Sequence, residues 1–367
     1  MKIAFIGGRS IHNIGGIENY TLNLASHLVR LGHQCIVYCE SNCNMEEDVN
    51  GIHVIHYLSF GGRFLCKILL SLRSTLNALF VQKNVEYFHY NAWPPSIWSW
   101  IPFIFGRKTL LEGHGLEWKR TKYSYIGRQV MHFMEWLTAI THRNILVVSN
   151  EQKEYFLKAY HKRSVSIPTA INLPLERTMD ETILQKFNLS KNCYFLFLGR
   201  LVQDKNPDYL IKAFIQSGIK DWKLVIAGSN EHQKEYIVHL KEIASSNENI
   251  VFTGSVFGDE KETLLKYCAA FCIPSSIEGL AITLLEAMSY SKICIASDIA
   301  SNREGLGCDG IWVRPENVED LASALRNVFE KKEEFDILGL KSRQRVEKHF
   351  TWEKISIMYI DFLKSIS

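Results

Sequence analysis

Residues 2–40 read KIAFIGGRSIHNIGGIENYTLNLASHLVRLGHQCIVYCE, which is an apolar run, a glycine-containing loop, a segment of helical period and a second apolar run. The pattern predicts a strand over 2–7, a helix over 17–31 and a strand over 35–39. A strand, a helix and a second strand in this order form the unit from which helix-covered parallel sheets are built. The predicted fold class is therefore α/β.

The same alternation continues along the chain. Further apolar runs of strand length occur at residues 53–57, 87–90, 109–112, 145–148, 165–168, 194–198, 223–227, 249–253, 270–273 and 293–296. The alternation of strand and helix patterns is interrupted around residues 168–182, PTAINLPLERTMDET. We interpret this segment as the connector between domains. We expect two doubly wound parallel-sheet domains in tandem, over 1–172 and 173–348, and an amphipathic helix over 350–363.

Length and composition exclude several classes of protein. The chain has 367 residues, of which 22% are charged and 47% hydrophobic, and this excludes a disordered or collagen-like protein. The 42 basic side chains nearly balance the 39 acidic ones, so no broad positive field marks a nucleic-acid partner.

The cysteines and the lengths of the apolar runs predict the cellular compartment of the protein. Nine cysteines, an odd number, are spread through apolar segments without zinc-ligand spacing, which predicts buried thiols in a reducing compartment. Residues 1–8 lack the features of a signal peptide, and no stretch reaches the ~20 apolar residues of a membrane span. We expect a cytoplasmic protein, in solution or peripheral on the cytoplasmic face of the membrane.

The first candidate site is SSIEGLAITLLEAMS, residues 275–289, in which seven residues separate Glu278 from Glu286. If both lie on one helix, their axial separation is about 12 Å, roughly the distance from a hexose to the ribose of a nucleotide sugar. Carboxylates accept hydrogen bonds from sugar hydroxyls, and Gly279 lets a diphosphate approach the backbone. Two solvated glutamates on an ordinary helix are the alternative.

Two further candidates lie at predicted strand ends. In FLGRLVQDKNPDYL, residues 197–210, Arg200 and Lys205 are suited to a diphosphate, with a surface pair of cations as the alternative. In the loop after the first strand, Gly15 and Gly16 permit close approach of a ligand, although a tight turn is the simpler explanation. This loop is not the dinucleotide motif G-x-G-x-x-G.

These motifs together resemble glycosyltransferase family 4, of the GT-B fold. The resemblance rests on the paired glycines, on GRL with a lysine five residues after its arginine, and on E-x7-E, and it extends to the terminal FTWEKISIMYIDFL. The N-terminal half, with GHGLEWKR, is most similar to a rhamnosyltransferase-like subgroup of bacterial surface polysaccharide synthesis. The resemblance implies two Rossmann-like domains that face a central cleft, with a helix within 349–367 that crosses back to the N-terminal domain.

The family implies retaining transfer of a hexose or deoxyhexose from a nucleotide-diphosphate sugar to a glycan or polyprenyl-linked acceptor. Arg200 and Lys205 would hold the diphosphate, with the backbone around Gly279 and Leu280 near the phosphates. Glu278 would bind the donor sugar, and Glu286 would bind the ribose. Gly15 and Gly16 would face the phosphates from the N-terminal domain.

The segment GHGLEWKR departs from the usual family pattern, which places a histidine or an acid near the donor sugar. His114 is the candidate for this role, with Glu117 as the rival acid and a structural histidine as the alternative. Lys119 and Arg120 are candidates for contact with an acceptor phosphate.

No D-x-D occurs among the eleven aspartates, so no carboxylate pair of this kind is present to clamp a metal ion on a diphosphate. We therefore predict no metal site and no cofactor other than the donor substrate.

Two segments bear on the acceptor. Residues 60–80, FGGRFLCKILLSLRSTLNALF, and residues 92–108, AWPPSIWSWIPFIFGRK, mix aromatic, aliphatic and basic side chains. This composition is suited to peripheral contact with the inner membrane, while core-facing helices are the alternative.

Two other functions fit the same architecture: a nucleotide-sugar 2-epimerase, and a non-catalytic sugar-nucleotide-binding scaffold subunit. The epimerase gives no reason for E-x7-E, and a scaffold would be expected to have lost site residues. Retaining glycosyl transfer is therefore the function that the sequence favours.

Overall fold

The computed structural model describes residues 1–10, 16–58, 63–113, 125–230 and 233–366. The chain forms two compact units. Unit 1 contains Met1–Ala170 and Trp352–Ser367, and unit 2 contains Ile171–Thr351. Both are α/β units built on parallel sheets, as the sequence predicts.

Unit 1 is built on an eight-stranded sheet. Its strands are β1 Lys2–Ile6, β2 Gln34–Ser41, β3 Met45–Val49, β4 Ile52–Leu58, β5 Tyr87–Asn91, β6 Lys108–Gly113, β7 Ile145–Val147 and β8 Val165–Ser166. Their spatial order is β3-β4-β2-β1-β5-β6-β7-β8. The pairings are parallel except that of β3 with β4.

Among the described residues of unit 1, these helices follow the strands: α1 Gly16–Arg30, α2 Arg63–Phe80, α3 Trp100–Ile104, α4 Tyr125–Thr141 and α5 Asn150–Tyr160. Successive side chains of a strand point to opposite faces of the sheet. Ile3 and Phe5 of β1 accordingly pack with the side chains of α1, whereas Ala4 and Ile6 pack with those of α2, α4 and α5. The apolar runs are continuous because both faces of the sheet are covered.

Unit 2 is built on a six-stranded, wholly parallel sheet. Its strands are β9 Tyr194–Leu198, β10 Lys223–Ala227, β11 Ile250–Gly254, β12 Ala270–Ile273, β13 Ile293–Ser297 and β14 Ile311–Val313, in the order β11-β10-β9-β12-β13-β14. Its helices are α6 Thr182–Lys186, α7 Pro207–Ser217, α8 Lys234–Ala244, α9 Gly258–Tyr267, α10 Ile282–Ser289, α11 Ala300–Leu306 and α12 Val318–His349, with a kink at Lys331.

The last helix, α13 Trp352–Ser365, completes the core of unit 1. Trp352, Ile355 and Leu363 are buried in one cluster with Phe5 of β1, and the Trp352 ring lies 5.4 Å from that of Tyr20 on α1. Each such buried side chain stabilises the fold by about 1.5–3 kcal/mol. The crossing of this helix back to the N-terminal part of the chain is therefore confirmed.

In both sheets the first strand lies in the middle. β1 lies between β2 and β5, and β9 lies between β10 and β12. Chain order therefore reverses between β1 and β5 and again between β9 and β12. Loops at the carboxyl ends of strands on either side of such a switch point diverge and leave room for a ligand.

Some details differ from the sequence-based predictions. β3 and β14 were not predicted, because β3 is largely charged and β14 has only three residues. The thiols of Cys43 and Cys308 are exposed, so the prediction of buried thiols is wrong for these two. None of the helices in the described ranges combines the length and the hydropathy that crossing a bilayer requires.

Candidate functional site

Two loops of unit 2 meet at its switch point. The loop after β9 contains residues 199–206, and the loop after β12 contains residues 274–281. The Ser276 amide donates a hydrogen bond to the Asp204 carbonyl at 3.0 Å, and Asn206 Nδ2 donates one to the Pro274 carbonyl at 3.0 Å. These two bonds hold the loops side by side.

Lys205 and Glu278 form an ion pair across these loops. Lys205 Nζ lies 2.8 Å from Glu278 Oε1, and the two side chains are 17% and 12% exposed. Ser275 Oγ donates a hydrogen bond to the same carboxylate oxygen at 2.9 Å. A Cβ on Gly199 would lie 3.4 Å from Lys205 Nζ. The lysine side chain therefore packs directly against the backbone of Gly199. The structure thus brings together two of the predicted site residues.

Arg200 follows Gly199 at the end of β9, and its side chain is exposed. Its neighbour Leu201 is buried in the core of unit 2, which fixes the backbone at this point. The arginine is therefore a second cation at the carboxyl end of β9.

Glu278 and Glu286 do not share a helix. Helix α10 begins at Ile282, so Glu278 belongs to the preceding loop, and the predicted 12 Å axial separation is wrong. Glu286 lies within α10, where Lys261 Nζ of α9 approaches its Oε1 to 2.7 Å. The physical reason is that residues 274–281 are fixed by bonds to the loop after β9 before the helix starts.

Gly279 and Leu280 complete the turn into α10. The Leu280 side chain is buried in the core and packs close to Gly305, where an added Cβ would lie 3.3 Å from Leu280 Cδ1. Only the backbone of Leu280 is therefore available to a ligand. The N-cap residue, Ala281, has no side-chain acceptor for the amides of the first turn. Such amides attract anions.

These groups together suit a phosphorylated polyol. Arg200 and Lys205 supply positive charge, and the first turn of α10 supplies N–H donors. Glu278 supplies a carboxylate that accepts hydrogen bonds from hydroxyl groups. In the described part of the chain, no three His, Cys, Asp or Glu side chains come together as a metal site would require.

Three residues of this site were missed from sequence. Ser275 donates a hydrogen bond to Glu278, and Asn206 joins the two loops. Lys261 pairs with Glu286. Asn206 precedes a proline that starts a helix, which marks a turn but not its partner. Lys261 offers no signal in the sequence because its partner depends on how α9 packs beside α10.

The candidates in unit 1 are only partly described. Gly16 is the first residue of α1. Gly15, His114, Glu117, Lys119 and Arg120 lie outside the described residues.

The switch point of unit 1 is tightly packed. Gly7 has a φ of +107°, and a Cβ there would lie 2.8 Å from the Asn91 carbonyl oxygen and 2.7 Å from Cγ of Pro95. The loops after β1 and β5 therefore touch at a position where only glycine fits.

A buried polar cluster lies near the carboxyl ends of β5 and β6. His89 Nε2 is 2.9 Å from Glu112 Oε2, and neither side chain is exposed. His89 Nδ1 is 2.7 Å from the hydroxyl of Tyr359 on α13. Burial, followed by the charge of Glu112, raises the pKa of Tyr20 well above its usual value. No pattern in the sequence predicts this cluster, which joins α13 to the sheet.

Sequence comparisons assign the chain to a family. Residues 179–347 match the family described as glycosyl transferases group 1, and residues 14–174 match the one described as glycosyltransferase family 4. The chain belongs to glycosyltransferase family 4.

Relatives of this family 4 glycosyltransferase are distant but span most of its length. An uncharacterized glycosyltransferase of Methanocaldococcus jannaschii is 25% identical, over 97% of this chain and 96% of its own. The UDP-Gal:alpha-D-GlcNAc-diphosphoundecaprenol alpha-1,3-galactosyltransferase of Escherichia coli is 25% identical, over 68% of each chain. The crystal structure of Anabaena HepE in complex with UDP matches with a TM-score of 0.80 at 16% identity, over 100% of both chains. The fold is GT-B.

Close backbone packing in this glycosyltransferase predicts a large effect of one substitution. Gly228 follows β10 with a φ of +147°, and a Cβ there would lie 1.8 Å from the Gly199 carbonyl oxygen. We expect Gly228→Ala to lower the free energy of unfolding by about 3 kcal/mol or more, because strain and a backbone clash add. Equilibrium urea unfolding measures this change.

Gly218→Ala is the matched control. Gly218 also has a positive φ, of +71°, but a Cβ there meets nothing within 4 Å. It should cost about 1 kcal/mol, from backbone strain alone. Equal losses in the two variants would contradict the close approach of Gly228 to Gly199.

Proposed function

We propose that this glycosyltransferase transfers a hexose or deoxyhexose, with retention of anomeric configuration, from a nucleotide-diphosphate sugar to a glycan or polyprenyl-linked acceptor. The observation that supports this most is the Lys205–Glu278 pair at the switch point of unit 2. It places a cation for phosphate and a carboxylate for sugar hydroxyls within one hydrogen-bond length of each other. Bacterial surface polysaccharide synthesis, in a rhamnosyltransferase-like subgroup, is the proposed setting.

In this proposal Lys205 and Arg200 bind the diphosphate. As the bond between the anomeric carbon and the phosphate oxygen breaks, negative charge grows on the departing diphosphate, and these cations stabilise it. The amides at the start of α10, next to Gly279 and Leu280, act in the same direction.

Glu278 binds the donor sugar by accepting hydrogen bonds from its hydroxyls. Lys205 and Ser275 both contact its Oε1 and so fix the carboxylate's orientation. Glu286 binds the ribose hydroxyls, and Lys261 Nζ lies 2.7 Å from its Oε1. The roles proposed for Gly15, Gly16 and His114 rest on the family resemblance alone.

The proposed chemical step is a front-face attack. The acceptor hydroxyl oxygen forms the new bond to the anomeric carbon on the face from which the diphosphate leaves. Its proton passes to the departing diphosphate, so no protein nucleophile and no metal ion is needed. Exclusion of water protects the donor from hydrolysis.

Two relatives support the choice of substrates. The Escherichia coli relative is named for transfer from UDP-Gal to a diphosphoundecaprenol-linked sugar, and the HepE structure holds UDP. A nucleotide-sugar donor and a lipid-linked acceptor are therefore the substrates to test first.

The test is to incubate the protein with UDP-, GDP-, dTDP- and ADP-sugars and lipid-linked acceptors, and to measure released nucleoside diphosphate and glycosylated product. Release that depends on the acceptor, with the product's anomeric configuration matching the donor's, is the expected result. A donor altered at C2 of its sugar would indicate an epimerase. Binding of nucleotide without any reaction would indicate a scaffold.

Metal independence gives a separate prediction. We expect the rate of transfer to be unchanged after treatment with EDTA, because Arg200, Lys205 and the amides of α10 supply the charge that a metal would otherwise supply. Initial rates before and after chelation, with manganese and magnesium added back, measure this. Loss of turnover in EDTA with rescue by manganese would show that the proposal is wrong on this point.

A further inference from the structure

Helix α4 has two apolar faces, and one of them is exposed. Met131, Met134 and Ala139 are buried against the sheet of unit 1. The opposite side exposes Ile126, Val130, Phe133, Trp136 and Ile140, at spacings of three and four residues that place them on one stripe. A helix that packs on a sheet normally has a polar outer face.

Helices α2 and α3 continue this exposed surface. Leu69, Leu76 and Phe80 of α2 are exposed, as are Trp100 and Phe103 of α3. α2 and α4 contribute to the same core cluster, and therefore cover the same face of the sheet.

Side-chain contacts join the three helices. The Phe80 and Phe105 rings lie 5.3 Å apart in a T-shaped arrangement, and the Arg143 guanidinium lies 5.4 Å from the centre of the Phe103 ring. We call the exposed side chains of α2, residues 100–105 and α4 the apolar face. Contiguous exposed apolar surface of this extent is unusual in a soluble monomer and marks an interaction site.

The two aromatic segments predicted to contact a membrane are only partly in this face. Trp93 is buried and stacks on Phe156 at 5.2 Å, and Trp98 Nε1 donates a hydrogen bond to the Ile68 carbonyl at 2.8 Å. The core interpretation is therefore correct for Trp93, whereas Trp100 is exposed. Helix α4, which the sequence did not single out, supplies three further exposed aromatic side chains: Tyr125, Phe133 and Trp136.

The segments that form the apolar face carry mostly positive charge. Residues 63–81, 100–107 and 125–143 contain six lysines and arginines and a single carboxylate, Glu135. Glu135 is buried and accepts hydrogen bonds from the hydroxyls of Tyr155 and Tyr160 at 2.9 and 2.8 Å. Since the whole chain has a net charge of only +3, this excess is local.

The apolar face also continues inward. A recess of about 710 Å³ lies between α2 and the strands β3 and β4, and Leu69, Leu76 and Phe80 line it. Its polar lining includes Arg73 and Glu46, and the Glu46 carboxylate is 3.3 Å from His53 Nε2. A recess that is lined mainly by apolar side chains and opens on an apolar surface suits flexible hydrocarbon chains.

We propose that the apolar face binds the surface of a bilayer that contains anionic lipids. Aromatic side chains partition into the interfacial region of a bilayer, and arginine side chains are attracted to anionic headgroups. A second copy of the chain fits less well, because a two-fold interface would bring the same cation-rich surface against itself. This inference depends on the surface of unit 1 and not on which sugar the enzyme transfers.

The experiment is flotation of the full-length protein with vesicles of phosphatidylcholine alone or mixed with phosphatidylglycerol. We expect the protein to float with the mixed vesicles and the variant Phe133→Ser/Trp136→Ser to bind them about tenfold more weakly, because two roughly half-exposed aromatic side chains are lost. Arg128→Glu/Arg143→Glu should weaken binding only to vesicles that contain phosphatidylglycerol.

The matched control is Val238→Ser/Phe257→Ser in unit 2, whose native side chains are 54% and 51% exposed, against 56% and 43% for Phe133 and Trp136. It should bind like the unmodified protein. Equal urea unfolding midpoints and equal far-UV circular dichroism spectra establish that each variant is folded.

Three outcomes would overturn the proposal. The first is that the unmodified protein stays in the lipid-free fraction at both vesicle compositions. The second is that the Phe133→Ser/Trp136→Ser variant, folded by both criteria, floats like the unmodified protein. The third is that light scattering shows a dimer that this variant dissociates, because the apolar face would then bind a second copy.

Discussion

Glu278→Gln and Lys205→Met are each expected to lower kcat by about 10²–10³-fold, the usual effect of removing one preorganised group that stabilises a transition state. Glu278→Gln keeps the shape of the side chain but removes the charge opposite Lys205 Nζ, 2.8 Å away. Lys205→Met removes the cation that neutralises the departing diphosphate. The measurement is the rate of nucleoside diphosphate release at saturating donor and acceptor.

The double variant makes this test sharper. Because Lys205 and Glu278 are in direct contact, their effects should not be additive, and the double variant should lose less than the product of the two single losses. Equilibrium urea unfolding of all three variants distinguishes a loss of catalysis from a loss of stability, because the pair is mostly buried and its removal can also destabilise the fold.

Lys212→Met is the control. Lys212 pairs with Asp208 at 3.1 Å on α7, in the same unit but in an ordinary i,i+4 surface arrangement. Its removal should leave kcat unchanged. If Lys205→Met behaved like Lys212→Met, the ion pair between the two loops would be structural and the proposed donor site would have to lie elsewhere.

The second large effect is expected on stability. His89→Leu should lower the free energy of unfolding by about 3–5 kcal/mol, because it removes the imidazole that faces the buried Glu112 carboxylate at 2.9 Å and also contacts the Tyr359 hydroxyl at 2.7 Å. Urea unfolding, followed by a signal from the tryptophans of unit 1, measures the loss.

Replacing both partners should restore much of this stability. In His89→Leu/Glu112→Met neither of the two facing polar groups remains in the core, so most of their desolvation cost disappears with them. Tyr359→Phe, which removes only the 2.7 Å hydrogen bond to His89, should cost about 1 kcal/mol. A double variant less stable than His89→Leu would show that the fold requires the His89–Glu112 contact itself, and that burial of Glu112 opposite an apolar side chain is not the cause of the loss.

The strands were predictable because most of them are buried on both faces. β9, β10 and β12 have the bounds that their apolar runs predict, since burial requires a continuous run of apolar residues. β3 escaped notice because MEEDV is largely charged, yet Asn50 and Gly51, with φ values of 55° and 81°, form the Asn-Gly turn typical of a hairpin. The Asn-Gly turn therefore predicts a hairpin, and with it the strand β3.

The candidate site was predictable in its location but not in its pairings. Arg200, Lys205 and Glu278 lie after strands, and the carboxyl ends of parallel strands share one edge of a sheet. That Lys205 meets Glu278 depends on β9 and β12 being neighbours, which is a property of strand order. No local rule links Glu286 to Lys261, or His89 to a tyrosine 270 residues away.

The return of α13 to unit 1 also determines the order in which the chain matures during translation. β1 leaves the ribosome before the helix that covers one face of its sheet, because residues 171–351 lie between the two parts of unit 1 in the chain. At about 5–20 residues per second, synthesis of residues 171–351 takes roughly 10–40 s. During that interval Phe5, His89 and Glu112 of unit 1 are not yet covered by α13. Unit 2 is continuous in the chain, so all of its elements are present once residue 351 has been made. The half that is made first is thus completed last, and a chain that stopped before residue 352 would display an open apolar surface to chaperones and proteases.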